Sequence, residues 1–345
     1  EMDRERLENF SEEQGLSLSG HDLSLIRDHF EELNRDPTQV EIEVLAQTWS
    51  EHCKHRIFDA NIDHTVDGES VEVDGIFREF IRGVTERIRE EKPGFVLSAF
   101  VDNAGFIELD EEHGVCMKVE THNHPSAIEP YAGANTGIGG VIRDILGAGL
   151  GARPIGSVDV FCLGEPDTTH ESLPESVIPP RGIFRGVVQG VRDYGNRMGI
   201  PTVAGAITFH ENYTYNPLVF CGTLGVIPSE DIEKGVEPGL DIVAAGGLTG
   251  RDGLKGATFS SDTLSEESHE DDQESVQIGN PIEEKKVTDF VLEARKRGLL
   301  EDLTDCGAGG YSSAVGEMVE ETGGDVYLDR ITLKEEGLDP WEIFL

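Results

Sequence analysis

Basic residues are scarce in this sequence. It holds 28 lysines and arginines against 68 aspartates and glutamates, which gives a formal net charge of −40 at pH 7. A surface of this sign repels nucleic-acid phosphates and anionic membranes, and therefore argues against general binding to either. The acids are interspersed with apolar residues rather than gathered in a tail. We interpret their excess as adaptation to a salty cytosol, where cations screen self-repulsion; an ordinary acidic protein is the alternative.

Closely spaced cysteines and long apolar runs are also missing. The five cysteines are scattered along the chain, and their odd number and wide spacing argue against a disulfide framework and against a zinc site. No apolar run reaches the roughly 18 residues that predict a membrane span, and no signal peptide is visible at the start. These absences predict a cytoplasmic protein.

The 345 residues, with 41 glycines among them, suggest about two domains. Helical spacing predicts a helical N-terminal segment over residues 1–59. Strand-like runs such as GFVLSAF, GFIELD and GVCMKVETH predict an α/β domain over residues 60–230. A second domain over residues 231–345 begins at EPGLDIVAAGGLTGRDG, which predicts a strand and a glycine-rich turn, and carries an acidic loop over residues 265–275. The apolar end, DPWEIFL, predicts that this second domain is incomplete.

The stretch VCMKVETH concentrates chemistry on one predicted strand. Alternation places Lys118, Glu120 and His122 on one face and the mostly apolar residues between them on the other, which we expect to pack on the core. A cation, a carboxylate and an imidazole that project together could hold a phosphate, a magnesium ion and a reacting group. A solvated strand face with ordinary charges is the alternative.

A glycine-rich run, GANTGIGG at residues 133–140, follows this strand. We predict a loop whose backbone N–H groups approach an anion, running into a helix that begins near VIRDIL. Arg143 could grip a phosphate and Asp144 could bind magnesium. The run matches neither the P-loop lysine pattern nor the dinucleotide fingerprint, and tight turns also use glycine.

Two shorter motifs complete the candidate chemistry. WSEHCKH places His52 and His55 near the end of the second predicted helix, where a histidine can also simply complement the helix dipole. Cys53 in the same motif is predicted to be a small buried residue rather than a nucleophile. In DCGAGG, Asp305 could be a metal ligand or the cap of the following helix.

Several segments together resemble one family. They occur in the family's order, span nearly the whole chain and resemble the large subunit of phosphoribosylformylglycinamidine synthase: TWSEHCKH, KVETHNHPSAIEPYAGANTGIGGVIRD, GARPI, GGLTGRDGLKGATF, VQIGNP and DCGAGG. The resemblance implies an α/β (α+β) fold of the PurM-like type, with two domains of mixed sheets and flanking helices after a helical segment.

The resemblance also implies a reaction and partners. Formylglycinamide ribonucleotide, ATP and ammonia would give formylglycinamidine ribonucleotide, ADP and phosphate, with Mg²⁺ as the cofactor. Ammonia would come from a separate PurQ-like glutaminase subunit, and a small PurS-like accessory subunit would belong to the assembly.

Residue roles carry over at the positions that match the family's motifs. His52 would be a catalytic histidine and His122 the proton acceptor. Lys118 and His55 would contact ATP, although position 55 is often tyrosine in the family, which leaves the role of His55 open.

The implied magnesium and substrate ligands lie in the central motifs. Glu120 would bind one magnesium ion, and Asp144 and Asp305 would bind a second. The residues that would line the substrate site are Thr121, His122, Asn123, His124, Arg143 and Gln277.

Length is the main departure from the family. The chain covers roughly the first half of such a subunit, so we expect it to lack synthase activity alone. Two alternatives remain at this point: a related ATP-dependent enzyme of the selenophosphate synthetase or thiamine monophosphate kinase type, and a non-catalytic half-protein.

Overall fold

A computed structural model describes residues 4–254, 256, 276 and 279–345 of the chain. The predicted acidic loop over residues 265–275 and the predicted substrate ligand Gln277 lie outside these described residues. Where the structure describes the chain, no helix combines the length and apolar character needed to cross a membrane.

The N-terminal part is helical, as predicted. Its helices are α1 (Arg4–Gln14), α2 (Gly20–Glu32), α3 (Gln39–Trp49), α4 (Glu51–Lys54) and α5 (Arg56–Asp59). Capping boxes at Ser19 and Thr38 fix where α2 and α3 begin, because each side chain accepts a hydrogen bond from the third residue of its helix. Apolar residues such as Leu23, Ile26 and Phe30 form a separate small core between these helices. The domain boundary at residue 59 stays a prediction.

A hairpin and a short helical stretch follow. Strands β1 (Asn61–Val66) and β2 (Glu69–Asp74) pair antiparallel. Asp67 and Gly68 connect the two strands, and both have positive φ, as a two-residue type I′ turn requires. A π-helical turn then leads into α6 (Gly83–Glu91).

A six-stranded mixed sheet forms the centre of the molecule. Its strands are β3 (Val96–Ser98), β4 (Phe106–Glu108), β5 (His113–Thr121), β6 (Arg153–Leu163), β7 (Thr202–Phe209) and β8 (Leu218–Pro228). The order across the sheet is β3-β4-β5-β8-β6-β7, with β6 and β7 parallel and all other neighbours antiparallel. The strands predicted from GFVLSAF, GFIELD and GVCMKVETH form β3, β4 and β5 and are confirmed, as is the mixed sheet, whereas β6 was not predicted.

Helices cover one face of this sheet. They are α7 (Asn123–Ile128), α8 (Pro130–Gly147) and α9 (Pro180–Met198), and α8 lies directly on β5 and β8. Prolines occupy the first position of α8 and α9, where a missing N–H costs nothing. The main core lies between these helices and the sheet and includes fully buried Ile138, Val187 and Val219.

The predicted glycine loop is instead part of a helix, so this prediction is wrong. Residues 133–140 lie inside α8, and their N–H groups belong to the helix rather than to an anion site. Here the glycines allow close packing. A methyl group on Gly133 would lie 2.5 Å from the Ser126 nitrogen, and one on Gly139 would lie 2.7 Å from the Tyr194 ring.

The predicted burial of strand β5 is also reversed. Its apolar face is open: Met117 and Val119 remain 42% and 43% exposed, and Ile107 on the neighbouring strand remains 40% exposed. The face that carries Lys118 and Glu120 turns toward α8. Alternation distinguishes two faces of a strand, but the elements that pack on the strand decide which face is buried.

The second region is described in part. Its helices are α10 (Pro281–Lys296), α11 (Gly310–Met318) and α12 (Pro340–Phe344). The strand predicted within residues 237–253 is wrong, because this stretch forms no strand and Val243 is 74% exposed. A strand needs a neighbour for its backbone groups, and the described residues offer only one isolated bridge here, Thr249 to Leu333.

Candidate active site

Lys118 lies between two carboxylates on the helix-facing side of β5. Its Nζ atom is 3.0 Å from Asp144 Oδ2 and 3.5 Å from Glu120 Oε1. The glycine helix is close above: a methyl group on Gly140 would lie 3.4 Å from Glu120 Oε2. One lysine therefore bridges a strand carboxylate and a helix carboxylate.

Partial burial makes this cluster electrostatically strained. The side chains of Lys118 and Asp144 are 30% and 9% exposed. Burial by itself would lower the pKa of Lys118, but Asp144 and Glu120 outweigh it and raise that pKa. Burial, Asp305 and Glu120 raise the pKa of Asp144, while Lys118 opposes the rise. Carboxylates that repel one another in this way favour a bound cation.

Asp305 joins the cluster from the second region of the chain. Arg143 Nε donates to Asp305 Oδ2 at 2.8 Å, and Asn103 Nδ2 donates to Asp305 Oδ1 at 2.9 Å. Burial opposes the charge of Arg143, but Asp305 outweighs burial and raises the pKa of the guanidinium. The cap of the following helix α11 is Gly309, with φ 83° and no side-chain hydrogen bond. Asp305 therefore does not cap that helix.

The turn after β5 is held by strand β8. The backbone N–H of His122 donates to the Val219 carbonyl at 2.9 Å, and Asn123 Oδ1 accepts from the Val219 N–H at 2.8 Å. His122 faces α8, because a methyl group on Gly137 would lie 3.1 Å from His122 Cβ. His124 is buried, with 8% of its surface exposed. The polar sequence of this turn is thus fixed in place beside Lys118 and Glu120.

The predicted histidine motif lies on the helical segment. His55 separates α4 from α5, has the left-handed conformation (φ 50°, ψ 45°) and is exposed. It lines the same cleft as Lys118 and Arg143. His52 lies in α4, but its side chain falls outside the described part of the structure. Cys53 is exposed, contrary to the prediction that it is buried, because α4 is a single turn at the surface.

Thr121 differs from its neighbours in position. Strand alternation places it on the open face of β5 with Met117 and Val119, although it lines the cleft that Lys118 also lines. The proposed roles of Thr121, His52 and Gln277 stay predictions.

The chemistry of the carboxylates fits magnesium. Glu120, Asp144 and Asp305 supply the hard oxygen donors that Mg²⁺ prefers. Across residues 4–254 and 279–345, no three His, Cys, Asp or Glu side chains converge closely enough to hold a metal ion unaided. Lys118 and Arg143 lie between the carboxylates instead. Mg²⁺ usually keeps waters and substrate phosphate oxygens in its coordination shell, so a partial protein set is typical of nucleotide sites.

Three polar residues of this region escaped the sequence analysis. Asn103 fixes Asp305, and the adjacent Asp102 pairs with Lys234 at 2.8 Å and accepts from the Gly149 N–H at 2.7 Å. The one signal was an Asp-Asn pair between two predicted strands. Glu284, in the first turn of α10, gave no signal because it lies beside another glutamate at a helix start.

Family comparisons agree with this arrangement. A formylglycinamide ribonucleotide amidotransferase linker domain matches residues 7–56. The N-terminal domain of AIR synthase related proteins matches residues 101–227, and the corresponding C-terminal domain matches residues 237–345.

Individual relatives point the same way. The chain is 39% identical over 349 residues to phosphoribosylformylglycinamidine synthase subunit PurL of Thermoplasma acidophilum, which covers 100% of this chain and 42% of that protein. The structure of Thermotoga maritima PurL complexed with FGAR superposes with a TM-score of 0.70 at 35% identity, over 94% of this chain and 46% of that chain. The structure of T. maritima PurL complexed with ATP superposes with a TM-score of 0.64 at 31% identity, over 94% of this chain and 44% of that chain. The structure of PurLQS from T. maritima superposes with a TM-score of 0.64 at 32% identity, over 93% of this chain and 44% of that chain.

The six-stranded domain and the second region, which contact one another through Arg143 and Asp305 and match the N- and C-terminal domain models, place this chain among the AIR synthase related proteins. Within that class it is homologous over its whole length to PurL, a subunit of phosphoribosylformylglycinamidine synthase. The predicted family and its PurM-like α/β fold are therefore confirmed. The chain spans somewhat less than half the length of these relatives.

Proposed function

We propose that this chain forms part of an ATP-dependent ligase that converts formylglycinamide ribonucleotide to formylglycinamidine ribonucleotide. The amide oxygen attacks the γ-phosphorus of ATP and ADP leaves. Ammonia then adds to the amide carbon. The bond between this carbon and the phosphorylated oxygen breaks, and phosphate leaves. The observation that carries the proposal is the cluster of Lys118, Glu120, Asp144, Arg143 and Asp305, which two regions of the chain assemble around one cleft.

Each side chain has a role that its position supports. Lys118 holds a nucleotide phosphate, and Arg143 binds the anionic substrate. His122, fixed by β8 beside them, accepts a proton from the attacking ammonia. Phosphoryl transfer depends mainly on positioning and charge neutralisation, which suits a site built from charged groups on a rigid sheet and helix.

Glu120, Asp144 and Asp305 would hold Mg²⁺. When bound, Mg²⁺ neutralises charge on the phosphate oxygens. His52, His55, Thr121, Asn123, His124 and Gln277 complete the proposed catalytic, nucleotide and substrate contacts by their match to the family's motifs.

Partners follow from the relatives. One T. maritima structure is named PurLQS, which supports PurQ-like and PurS-like subunits here as well, with the PurQ-like glutaminase supplying ammonia. We place the enzyme in the cytoplasm.

The test uses the protein expressed from its full reading frame. Purified enzyme is mixed with formylglycinamide ribonucleotide, Mg-ATP and ammonium, and both ADP and the amidine product are measured. We expect ADP release that requires the ribonucleotide and is matched by amidine formation. ATP turnover that requires selenide or thiamine monophosphate instead would favour the related enzymes, and no ligand-dependent turnover would favour a non-catalytic protein.

The acidic surface supports a second, independent proposal of salt adaptation. With a net charge of −40, the folded chain repels itself in dilute buffer. We expect the unfolding midpoint to rise between dilute buffer and molar KCl. Salting-out also stabilises proteins at high salt concentration. The informative part is therefore the increase up to about 0.1 M salt, where the Debye length has fallen to about 10 Å. A midpoint that stays constant there would contradict the proposal.

A further inference from the structure

His55 lies at a bend of the helical segment that lines one side of the cleft. It separates α4 from α5 and has the left-handed conformation, with φ 50° and ψ 45°. Residues other than glycine rarely adopt this conformation, and they keep it where the surrounding contacts fix the backbone. Glu43, Ala46 and Gln47 of α3 line the cleft together with His55. The bend therefore brings an exposed histidine to the side of the cleft that α3 forms.

Arg56, the first residue of α5, ties this bend to the rest of the helical segment. Its Nη1 atom donates to both carboxylate oxygens of Asp22, at 3.0 and 3.3 Å, and its Nη2 atom donates to the Trp49 carbonyl at 2.9 Å. Trp49 ends α3, where backbone carbonyls lack partners within the helix. One guanidinium thus joins the first turn of α2, the end of α3 and the start of α5.

Asp22 is a well-anchored partner for this arginine. Its side chain is 9% exposed, and it completes the capping box of α2 with Ser19. Burial by itself would raise the pKa of Asp22, but the hydrogen bonds from Ser19 and Arg56 outweigh it and lower that pKa. The carboxylate is therefore charged at neutral pH. Loss of Arg56 would leave a buried charge without this cation, which is strongly unfavourable.

The turn before the bend is anchored as well. The buried Ser50 hydroxyl donates to the Gln47 carbonyl at 2.8 Å and accepts from the Cys53 N–H at 3.4 Å. His55 thus lies between two fixed points, Ser50 and Arg56, that are six positions apart. This arrangement leaves the backbone at His55 little freedom to relax.

We propose that Arg56, paired with Asp22, is a positioning residue that holds His55 in its left-handed conformation at the cleft. The link is covalent, because His55 directly precedes Arg56 and is the N-cap residue of α5. The inference rests on the proposed function, in which His55 contacts ATP. It adds to the candidate site two residues of the helical segment that lie 34 positions apart in the chain.

Steady-state kinetics test this role in the protein made from its full reading frame. His55→Ala should raise the KM for ATP by about two- to tenfold, the usual effect of losing one hydrogen bond. Arg56→Gln should raise it by no more than that. The double variant should match His55→Ala, because the arginine acts through the histidine. KM does not depend on how much of the protein is folded, so a purely structural defect would not change it.

Two further variants sharpen the test. Arg56→Lys keeps the charge, but one ammonium cannot reproduce the planar fork that reaches both Asp22 and the Trp49 carbonyl. Its KM for ATP should therefore lie between those of the parent and Arg56→Gln. Arg27→Gln is the matched control: Arg27 pairs with Asp28 at 2.7 Å on the surface of α2, in the same helical segment, and its variant should keep the parent's KM.

The other outcomes count against the proposal. An unchanged KM for ATP in Arg56→Gln or in His55→Ala overturns it, and so does a double variant whose KM rises by the product of the two single effects. If the parent shows no ribonucleotide-dependent ATP turnover, the proposed function fails, and crystal structures decide about Arg56 instead. In Arg56→Gln, a residue 55 that leaves the left-handed conformation supports the positioning role, and one that keeps it overturns that role.

Discussion

On strand β5, Lys118 and Glu120 point toward helix α8, whereas Met117 and Val119 point away from it into the open. At this end of β5 the two faces thus reverse the usual rule that apolar residues are buried and charges are exposed, although the helix-facing side of the sheet also carries the main apolar core. The charged face is stabilised because Lys118 lies 3.0 Å from Asp144 and 3.5 Å from Glu120 and offsets part of their negative charge. Glycines in α8 let the helix approach closely enough to cover them. The comparison teaches that the charged cluster decides which face of β5 is covered at this end, whereas the neighbouring strand β8 buries apolar Val219 on the same side.

The largest expected difference between the faces is catalytic. In the protein made from its full reading frame, His122→Asn should lower turnover by roughly 10²–10⁴-fold, the usual effect of losing a general base. Val119→Thr, on the open face of the same strand, should leave turnover near that of the parent. Steady-state assays of both variants, normalised to folded protein, make the comparison; similar losses in the two would erase the functional distinction between the faces.

The close packing of helix α8 against residues 125 and 126 should be the next most sensitive feature. A methyl group at Gly133 would lie 2.5 Å from the Ser126 nitrogen and 2.6 Å from the Pro125 carbonyl carbon. Gly133→Ala should therefore destabilise by about 1–3 kcal/mol through overpacking, despite the better helix propensity of alanine.

Gly316→Ala in α11 is the matched control, because the new methyl group meets nothing within 4 Å. It should stabilise by up to about 1 kcal/mol. Denaturant unfolding measures both changes. Stabilisation at both positions would show that α8 does not need its glycines for packing.

Apolar burial can be compared with one substitution made on each face. Val219 on β8 is fully buried in the main core, whereas Val119 on β5 is 43% exposed. Val219→Thr should cost about 1–3 kcal/mol, because it buries a hydroxyl in place of a methyl group. Val119→Thr should cost under about 0.5 kcal/mol. Equal costs, measured by urea unfolding, would mean that the open face is covered in the protein as studied.

The smallest expected effect concerns a carboxyl on the helix-facing side. Asp159 is 5% exposed and accepts from Thr202 Oγ1 at 2.8 Å and from Ser157 Oγ at 3.2 Å. Burial raises its pKa above the ordinary 3.8, and the hydrogen bonds from Thr202 and Ser157 oppose the rise. The pKa of Asp159 is therefore higher in the folded state than in the unfolded state. Its contribution to the free energy of unfolding is fully present below pH 3.8 and is lost as pH rises through the folded-state pKa.

Asp159→Asn removes that loss, so unfolding free energy should fall less steeply with pH than in the parent between pH 3.8 and neutrality. Asp63→Asn on the exposed hairpin strand β1 is the control for the loss of one carboxylate. Identical slopes for Asp159→Asn and the parent would show that this carboxyl titrates as if in water.

Local pattern was sufficient for much of the sheet and for the residues of the candidate site that lie together. The two-residue period of VCMKVETH predicted strand β5, and the polar motifs predicted Lys118, Glu120, Asp144 and Arg143 as neighbours, which they are. These features depend on residues close in sequence, whose backbone preferences and side-chain directions act over a few positions. The same local view failed for GANTGIGG, because glycine propensity favours turns and carries no information on a neighbouring chain.

By itself, the sequence determined the family, most strands of the sheet and most of the charged residues of the candidate site. Only the tertiary structure decided which face of β5 is buried, that the glycine run is a helix packed on His122, and that Arg143 reaches Asp305 across 162 positions. The reason is physical. Periodicity records differences between the faces of an element, whereas burial and long-range ion pairs depend on which other elements arrive, and that choice minimises the free energy of the whole chain.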